Sequence, residues 1–407
     1  MKDKAIQKLI QKEEKRQEGT LNLIASENYV SRGVREALAS VFTNKYAEGY
    51  PGARYYGGNA VADELEKLAE MRALSLFRLS PKKWSVNVQP YSGSPANLAV
   101  LHALVPRGGK IMGMALDMGG HLTHGFSASL TGKLWRQVPY GVDRKTGRID
   151  YAALMLLAKK ERPKLVIAGA TAYSRIVDFK KFRKIADSVH AFLVVDMSHF
   201  AGLVAGGVYP SPFPYADVVT STTHKTLRGP RAALVFSSVE HSKAIDKTVF
   251  PGLQGGPHLN TIAAVAVALE EAKEPAFRKY AMQVVRNAKA FADELERLGW
   301  PVISGGTETH LFLVDTMARG IGGRTASDAL ERAGIIVNKN MIPYDSRKPS
   351  DPSGVRIGTA ALTTRGMKEK EMRKVARLVD RALLKKMGAA RIKKEVSRLC
   401  SRFPLPR

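Results

Sequence analysis

A chain of 407 residues, 44% apolar with 35 glycines and 20 prolines, is globular and long enough for two or three domains. Its one cysteine, Cys400, excludes an internal disulfide and a thiolate metal cage and fits a reducing compartment, and no run approaches the roughly 18 apolar residues of a membrane helix. The net charge of +27 suits anionic ligands or polyanions. The basic residues are nevertheless scattered over helical segments, and the densest run, Lys385 to Arg402, carries Met387, Ile392, Val396 and Leu399 at near-helical spacing. A solvated basic face is therefore favoured over a nucleic-acid contact.

Residues 1–20 alternate Lys, Gln and Glu with Ile and Leu, which predicts a helix that has no core of its own and packs on something else. The segment lacks the apolar centre of a signal peptide, so the chain is expected in the cytoplasm. The run 21–28 ends apolar residues in polar groups, and a helix is expected from Ser31 through Ala39. Residues 44–58, with four tyrosines, four glycines, Glu48 and Arg54, read as a loop that carries function.

Helical periodicity spans Ala62 to Leu79, followed by a short strand, 86–90. Ser92-Gly93-Ser94-Pro95 then opens the helix ending at Leu104. Two hydroxyls, a glycine and free N–H groups at a helix start make a phosphate cradle, or else an ordinary cap. Strands at 110–114, 165–168, 191–195, 218–219 and 232–236 alternate with helices at 151–160 and 179–189. That alternation predicts a helix-covered sheet with parallel pairings. After 272 a long amphipathic helix, strands around 302, 311–314, 335–337 and 354–359, and a helix from Lys368 predict a smaller α+β domain.

Several strand ends carry chemistry. Phe192 to Val195 is apolar until Asp196, a carboxylate suited to a pyridinium nitrogen, or else a cap, with His199 close behind. His121 and His124 sit in a glycine-flanked loop without acidic or thiol partners, which fits ring stacking better than a metal. Residues 250–257 form a glycine-rich loop with amides available to an anion. Arg356 stands alone as a cation inside a strand, a salt-bridge partner or a fork for a carboxylate. Lys225 follows an apolar strand and is surrounded by Thr220, Ser221, Thr222, Thr223 and Thr226. Taken alone it reads as a solvated turn lysine; beside Asp196 and the serine cradle it suits a Schiff base with pyridoxal phosphate.

The motifs LIASEN, NKYAEGYPGARYYGG, QPYSGSPAN, GGHLTHG, VVDMSHFAGLVA, TTHKTLRGPR, PGLQGGP, VNKN and SGVRIGTAALTTRG occur in this order. From about Gly19 onward the chain resembles serine hydroxymethyltransferase, a fold-type I pyridoxal-phosphate enzyme of the aspartate-aminotransferase-like α/β class. The resemblance implies a mainly parallel seven-stranded sheet, with 1–50 as arm and interface segment, 51–272 as the large cofactor-binding domain and 273–407 as the small α+β domain. It implies transfer of the serine hydroxymethyl carbon to tetrahydrofolate, or a modified pterin, leaving glycine.

It also implies roles. Lys225 would hold the cofactor covalently, Asp196 would pair with its ring nitrogen, His121 would stack on the ring, and His199 would lie on the substrate side. Ser92, Gly93 and Ser94 would hold the phosphate, with Gly255 and Gly256 of a second subunit; Thr171 and His224 would line the cofactor site. Arg356 would bind the substrate carboxylate with Ser26 nearby. Tyr46 and Glu48 would come from the partner of a homodimer, or of a tetramer, with Glu48 the acid/base candidate. Tyr55 would assist at the lysine and carboxylate, and Arg231 would support the lysine loop. Tyr56, Leu116, Gly120, Leu122 and Asn340 would meet the pterin. No metal is implied. Tyr91, Ser198 and Ala360 depart from the residues common there, which are histidine or leucine, alanine and proline. A threonine-aldolase-like lyase without a pterin and an RNA-binding protein are the competing readings.

Overall fold

The structure is a computed structural model that describes residues 2–406; Met1 and Arg407, at the ends of the expected division, lie outside the described residues. Apolar runs dictate its central sheet. Leu165–Ala168 is buried along its whole length and Phe192–Asp196 nearly so, as strands covered on both faces must be. In chain order the strands are β1 (Trp84–Asn87), β2 (Lys110–Met114), β3 (Arg136–Tyr140), β4 (Leu165–Ala168), β5 (Phe192–Asp196), β6 (Val218–Thr222) and β7 (Ala233–Ser238). They lie in the order β1-β7-β6-β5-β4-β2-β3. The run from β6 to β3 is parallel throughout, and β7 is antiparallel to both its neighbours. The mainly parallel seven-stranded sheet expected from the sequence is present.

Several elements are absent from the expectations above, among them one strand and one helix of the unit that holds the large sheet. Strand β3, Arg-Gln-Val-Pro-Tyr, does not alternate polar and apolar residues and contains Pro139, which an edge strand tolerates because one side of its backbone needs no ladder. The helix Leu259–Glu271 buries eight of its residues, so its apolar run shows no face for periodicity to find.

The chain divides into two compact units: the residues up to Tyr29 with those from Gln283 onward, and Val30–Met282, which contains the large sheet. The divide falls later than the expected 272/273, and the first residues group with the C-terminal ones. In the first unit, Leu21–Asn22 pairs parallel with Ile335–Ile336, and Gly354–Gly358 is the central strand between Leu311–Asp315 and Asn338–Asn340. Leu21 and Leu23 are fully buried in a core with Phe291, Trp300 and Phe312, at about 1.5–3 kcal/mol per large apolar side chain. A side chain at Gly358 would strike Ala25, so only glycine lets this segment lie so close.

The helix Lys4–Gly19 is capped by Asp3 and buries none of its own residues. Its anchor is Arg365, whose guanidinium donates to the carbonyls of Gln17, Glu18, Thr20, Cys400 and Phe403.

In the second unit the 44–58 loop contains a small hairpin, Gly49–Tyr50 with Ala53–Arg54. Arg54 points inward, with only 4% of its side chain exposed. It donates to Asp63, to Glu66 and to the carbonyls of Ala47 and Gly49. Its charge is committed to holding the loop, so it is no reserve for a substrate carboxylate. Beneath it Glu66 also accepts from Gln89, and Asn87 donates to Asp246. Burial, joined by the charges of Glu66 and Asp246, pushes Glu70 up to about 8.

Candidate active site

The cofactor-side residues of the second unit gather at the carboxyl ends of β2, β4, β5 and β6, where open α/β sheets place their ligands. Asp196 ends β5 and is 7% exposed. Its Oδ2 accepts from Asn97 Nδ2 at 2.9 Å and His124 Nε2 at 3.1 Å, and its Oδ1 from the Ser198 N–H at 3.0 Å. His124 Nδ1 accepts from the His121 N–H at 3.2 Å, which puts the ring proton on Nε2. Burial works against the charge on Asp196, but the His124 hydrogen bond, joined by the electrostatic attraction of His124 and His121 and then by the Ser198 hydrogen bond, outweighs it and holds the carboxyl far below the usual range.

Asn97 organises this corner. Its amide donates to Thr123 Oγ1 at 2.8 Å as well as to Asp196, and its oxygen accepts from Thr220 Oγ1 at 2.7 Å. His121 Nδ1 lies 2.7 Å from Thr123 Oγ1, which turns the ring of the expected stacking residue. His124 is almost fully buried, so it serves Asp196 and is not a second stacking ring.

The threonines around Lys225 each have work. Thr222 Oγ1 accepts from Lys225 Nζ at 2.8 Å. Thr223 Oγ1 donates to the Pro230 carbonyl at 2.6 Å, and Thr226 Oγ1 to the His199 carbonyl at 2.9 Å, tying the lysine loop to the segment after β5. Arg228, at positive φ, lies over the ring of Tyr280. His224 Nδ1 is buried without a hydrogen-bond partner; burial first, then the charges of Lys225 and Arg231, pushes its pKa down to about 3. Arg231 itself is exposed.

Ser92 caps the helix Gly93–Leu104 without using its hydroxyl as a cap, which leaves that hydroxyl and the first amides for an anion. A side chain at Gly93 would meet Thr222 Cγ2 at 2.7 Å, so the cradle closes on the end of β6. Thr171 donates its N–H to the Gly119 carbonyl at 2.8 Å. Gly120 has no room for a side chain beside the Met114 carbonyl, while Leu116 is half-buried and Leu122 exposed.

A second cluster forms around the tyrosine loop. Tyr46 OH donates to Glu48 Oε1 at 3.3 Å; Glu48 faces Gly255, and Tyr46 faces both Gly255 and Gly256 of the same chain. Tyr91 OH donates to the Gly256 carbonyl at 2.8 Å and its ring stacks on His258 at 4.2 Å. Tyr46, Tyr55 and Tyr56 are all more than half exposed. Tyr56 packs edge-on against Tyr46, and Tyr55 against Phe250.

Arg356, Asn340 and Ser26 belong to the first unit. Arg356 sits on its central strand, 6% exposed, and Nε donates to Asn338 Oδ1 at 3.1 Å; burial pushes its pKa down to about 10. Asn340 Nδ2 donates to the Met341 carbonyl, and Ser26 is half-buried. The sequence reading missed the functional weight of Asn97 and Ser198. Only the position of Asn97 within QPYSGSPAN pointed to it.

A profile described as "Serine hydroxymethyltransferase" matches residues 1–379. Proteins named serine hydroxymethyltransferase from Desulfotalea psychrophila and Sorangium cellulosum are 53% and 54% identical, each over 99% of this chain and 95% of their own length. A third, from Acidothermus cellulolyticus, is 52% identical over 99% of this chain and 96% of its own.

Proposed function

The chain belongs to the serine hydroxymethyltransferase family, and from that premise we propose how its residues divide the work. The reaction is the reversible transfer of the serine hydroxymethyl carbon to tetrahydrofolate, giving glycine and 5,10-methylenetetrahydrofolate. Pyridoxal 5'-phosphate, when bound, supplies an electron sink for the bond broken at the serine α-carbon.

The residues fit that group. Asp196 is a buried, ionised carboxylate whose donors (Asn97, His124 and the Ser198 N–H) bring no fixed cation. A protonated ring nitrogen would supply the missing charge. This observation carries the reading. Ser92, Gly93 and Ser94 would hold the phosphate, Lys225 would offer its amine, His121 would stack on the ring, and Thr171, His199 and His224 would line the site.

Arg356 grips the substrate carboxylate, with Ser26 beside it. Glu48 exchanges the proton of the serine hydroxyl, Tyr55 assists at the lysine and carboxylate, and Arg231 supports the lysine loop. Tyr56, Leu116, Gly120, Leu122 and Asn340 meet the pterin. Tyr46, Glu48, Gly255 and Gly256 serve the site of a second copy in a homodimer or tetramer. Their clustering within one chain, beside exposed aromatics, supports that assignment. In this reading residues 1–50 are the arm and interface segment, 51–272 the large domain and 273–407 the small one. Among the described residues no helix is long and apolar enough to cross a membrane, and we assign the protein to the cytoplasm. The reading is tested by serine cleavage with the purified protein, supplied with tetrahydrofolate or a modified pterin in turn. Cleavage dependent on either pterin supports it, whereas equal cleavage of 3-hydroxy amino acids without one supports an aldolase instead.

A further inference from the structure

We propose that the hydroxyl of Ser198 is a positioning group for Lys225, acting through Thr222, and that Ser198 ties the lysine to the Asp196 carboxylate. The proposal rests on the reading of Lys225 and Asp196 given above. Strand β5 ends at Asp196, which pairs with Thr220, while β6 runs two residues further to Thr222. Beyond the end of β5, the Thr222 N–H finds Ser198 Oγ at 3.0 Å. The Thr222 hydroxyl donates back to the Ser198 carbonyl at 3.4 Å, so its lone pairs are left for Lys225 Nζ at 2.8 Å.

Thr222 is therefore held twice by Ser198, and the direction in which it receives the lysine is fixed. The same residue donates its main-chain N–H to Asp196 Oδ1 at 3.0 Å. Ser198, Thr222 and Asp196 are each less than one-tenth exposed, so water does not readily replace these bonds. Alanine at 198 would keep the bond to Asp196, which is main-chain, and would remove the hydroxyl that holds Thr222. The hydroxyl thus has a role that alanine cannot perform, at a position where the resemblance leads one to expect alanine.

The test uses the cofactor-loaded protein and reads the visible absorbance of the bound cofactor against pH. In Ser198→Ala the titration midpoint is expected to fall by about 0.5–1 unit, because a less fixed Thr222 accepts less well from a protonated Lys225 nitrogen. The dissociation constant of the cofactor, measured by titrating the apo-protein, is expected to rise about three- to tenfold. Ser198→Cys keeps the size and gives the same reading should the alanine variant fail to fold. In a Thr222→Val background, Ser198→Ala is expected to add nothing, which is the mark of action through Thr222. A parental midpoint and cofactor affinity in Ser198→Ala, or additive effects in the double variant, overturns the proposal. Lys225→Ala separates the two layers: if it keeps the parental visible band, the reading of Lys225 itself falls.

Discussion

His124 Nε2 lies 3.1 Å from Asp196 Oδ2, on a ring whose other nitrogen is already taken by the main chain of His121. The imidazole is thereby fixed as a donor to the carboxylate, which keeps its charge for something else. Replacing His124 by Ala leaves a buried acceptor short of a donor, at about 1–3 kcal/mol. Cofactor affinity of the apo-protein is expected to fall about tenfold, with kcat falling too. Parental affinity in a folded His124→Ala variant would assign the task of keeping Asp196 ionised to Asn97 and Ser198 alone.

If Glu48 and the Gly255–Gly256 loop serve the site of a second copy, each site needs two chains. Mixing inactive Glu48→Gln with inactive Lys225→Ala should then restore activity, because one hybrid site has both residues intact. With statistical exchange, recovery should approach about a quarter of the parental rate per dimer site. No recovery, after mass spectrometry has shown that subunits exchange, counts against shared sites.

Arg356 is the buried cation proposed to hold the substrate carboxylate. Its removal should weaken serine binding by roughly 2–5 kcal/mol, or about 30- to several-thousand-fold. Arg356→Lys should recover little, since a point charge cannot make two parallel hydrogen bonds. A serine titration on the cofactor-loaded Arg356→Ala variant decides this. Saturation at parental concentrations would move the carboxylate elsewhere, though not to Arg54, whose donors hold the tyrosine loop.

Glu70 makes stability depend on pH. Its carboxyl is raised from 4.5 to about 8 by burial and by Glu66 and Asp246, so the folded chain keeps a proton that the unfolded chain releases. Stability contributed by this group is full below about pH 4.5 and declines as pH climbs towards 8. The slope is at most roughly 1.4 kcal/mol per unit, less where solvent screens the group. Denaturation of Glu70→Gln across pH 4.5–9 should show a flatter profile, with the variant gaining on the parent as pH rises. Parallel profiles would remove Glu70 from the account.

Strands β4 and β5 were legible as short apolar runs, and Asp196 stood out as the polar residue that ends β5, as did Lys225 just beyond β6. Arg356 was equally visible, a lone charge in an apolar strand. What stayed hidden depends on contacts distant in sequence. Asn97, on the helix Gly93–Leu104, matters because Thr220 and Asp196 come to it from two strands. His124 looked like a twin of His121 until burial separated them. The partners of Arg54 were hidden because Asp63 and Glu66 reach it only once the loop folds over the helix Ala60–Leu76. Edge strand β3 and the uniformly apolar helix Leu259–Glu271 lacked the periodicity by which either class is recognised.

Arg365 gives the chain an order of assembly. Its guanidinium binds carbonyls at residues 17, 18 and 20 and at 400 and 403. During synthesis the first set leaves the ribosome long before the second exists. The N-terminal helix, with no buried face of its own, is therefore exposed to chaperones and proteases throughout translation. Val30–Met282 contains its own sheet and core and can close while the ribosome is still at work. The other unit, made from both flanks, cannot fasten residues 17–23 until Ile335–Ile336 and Arg365 are delivered.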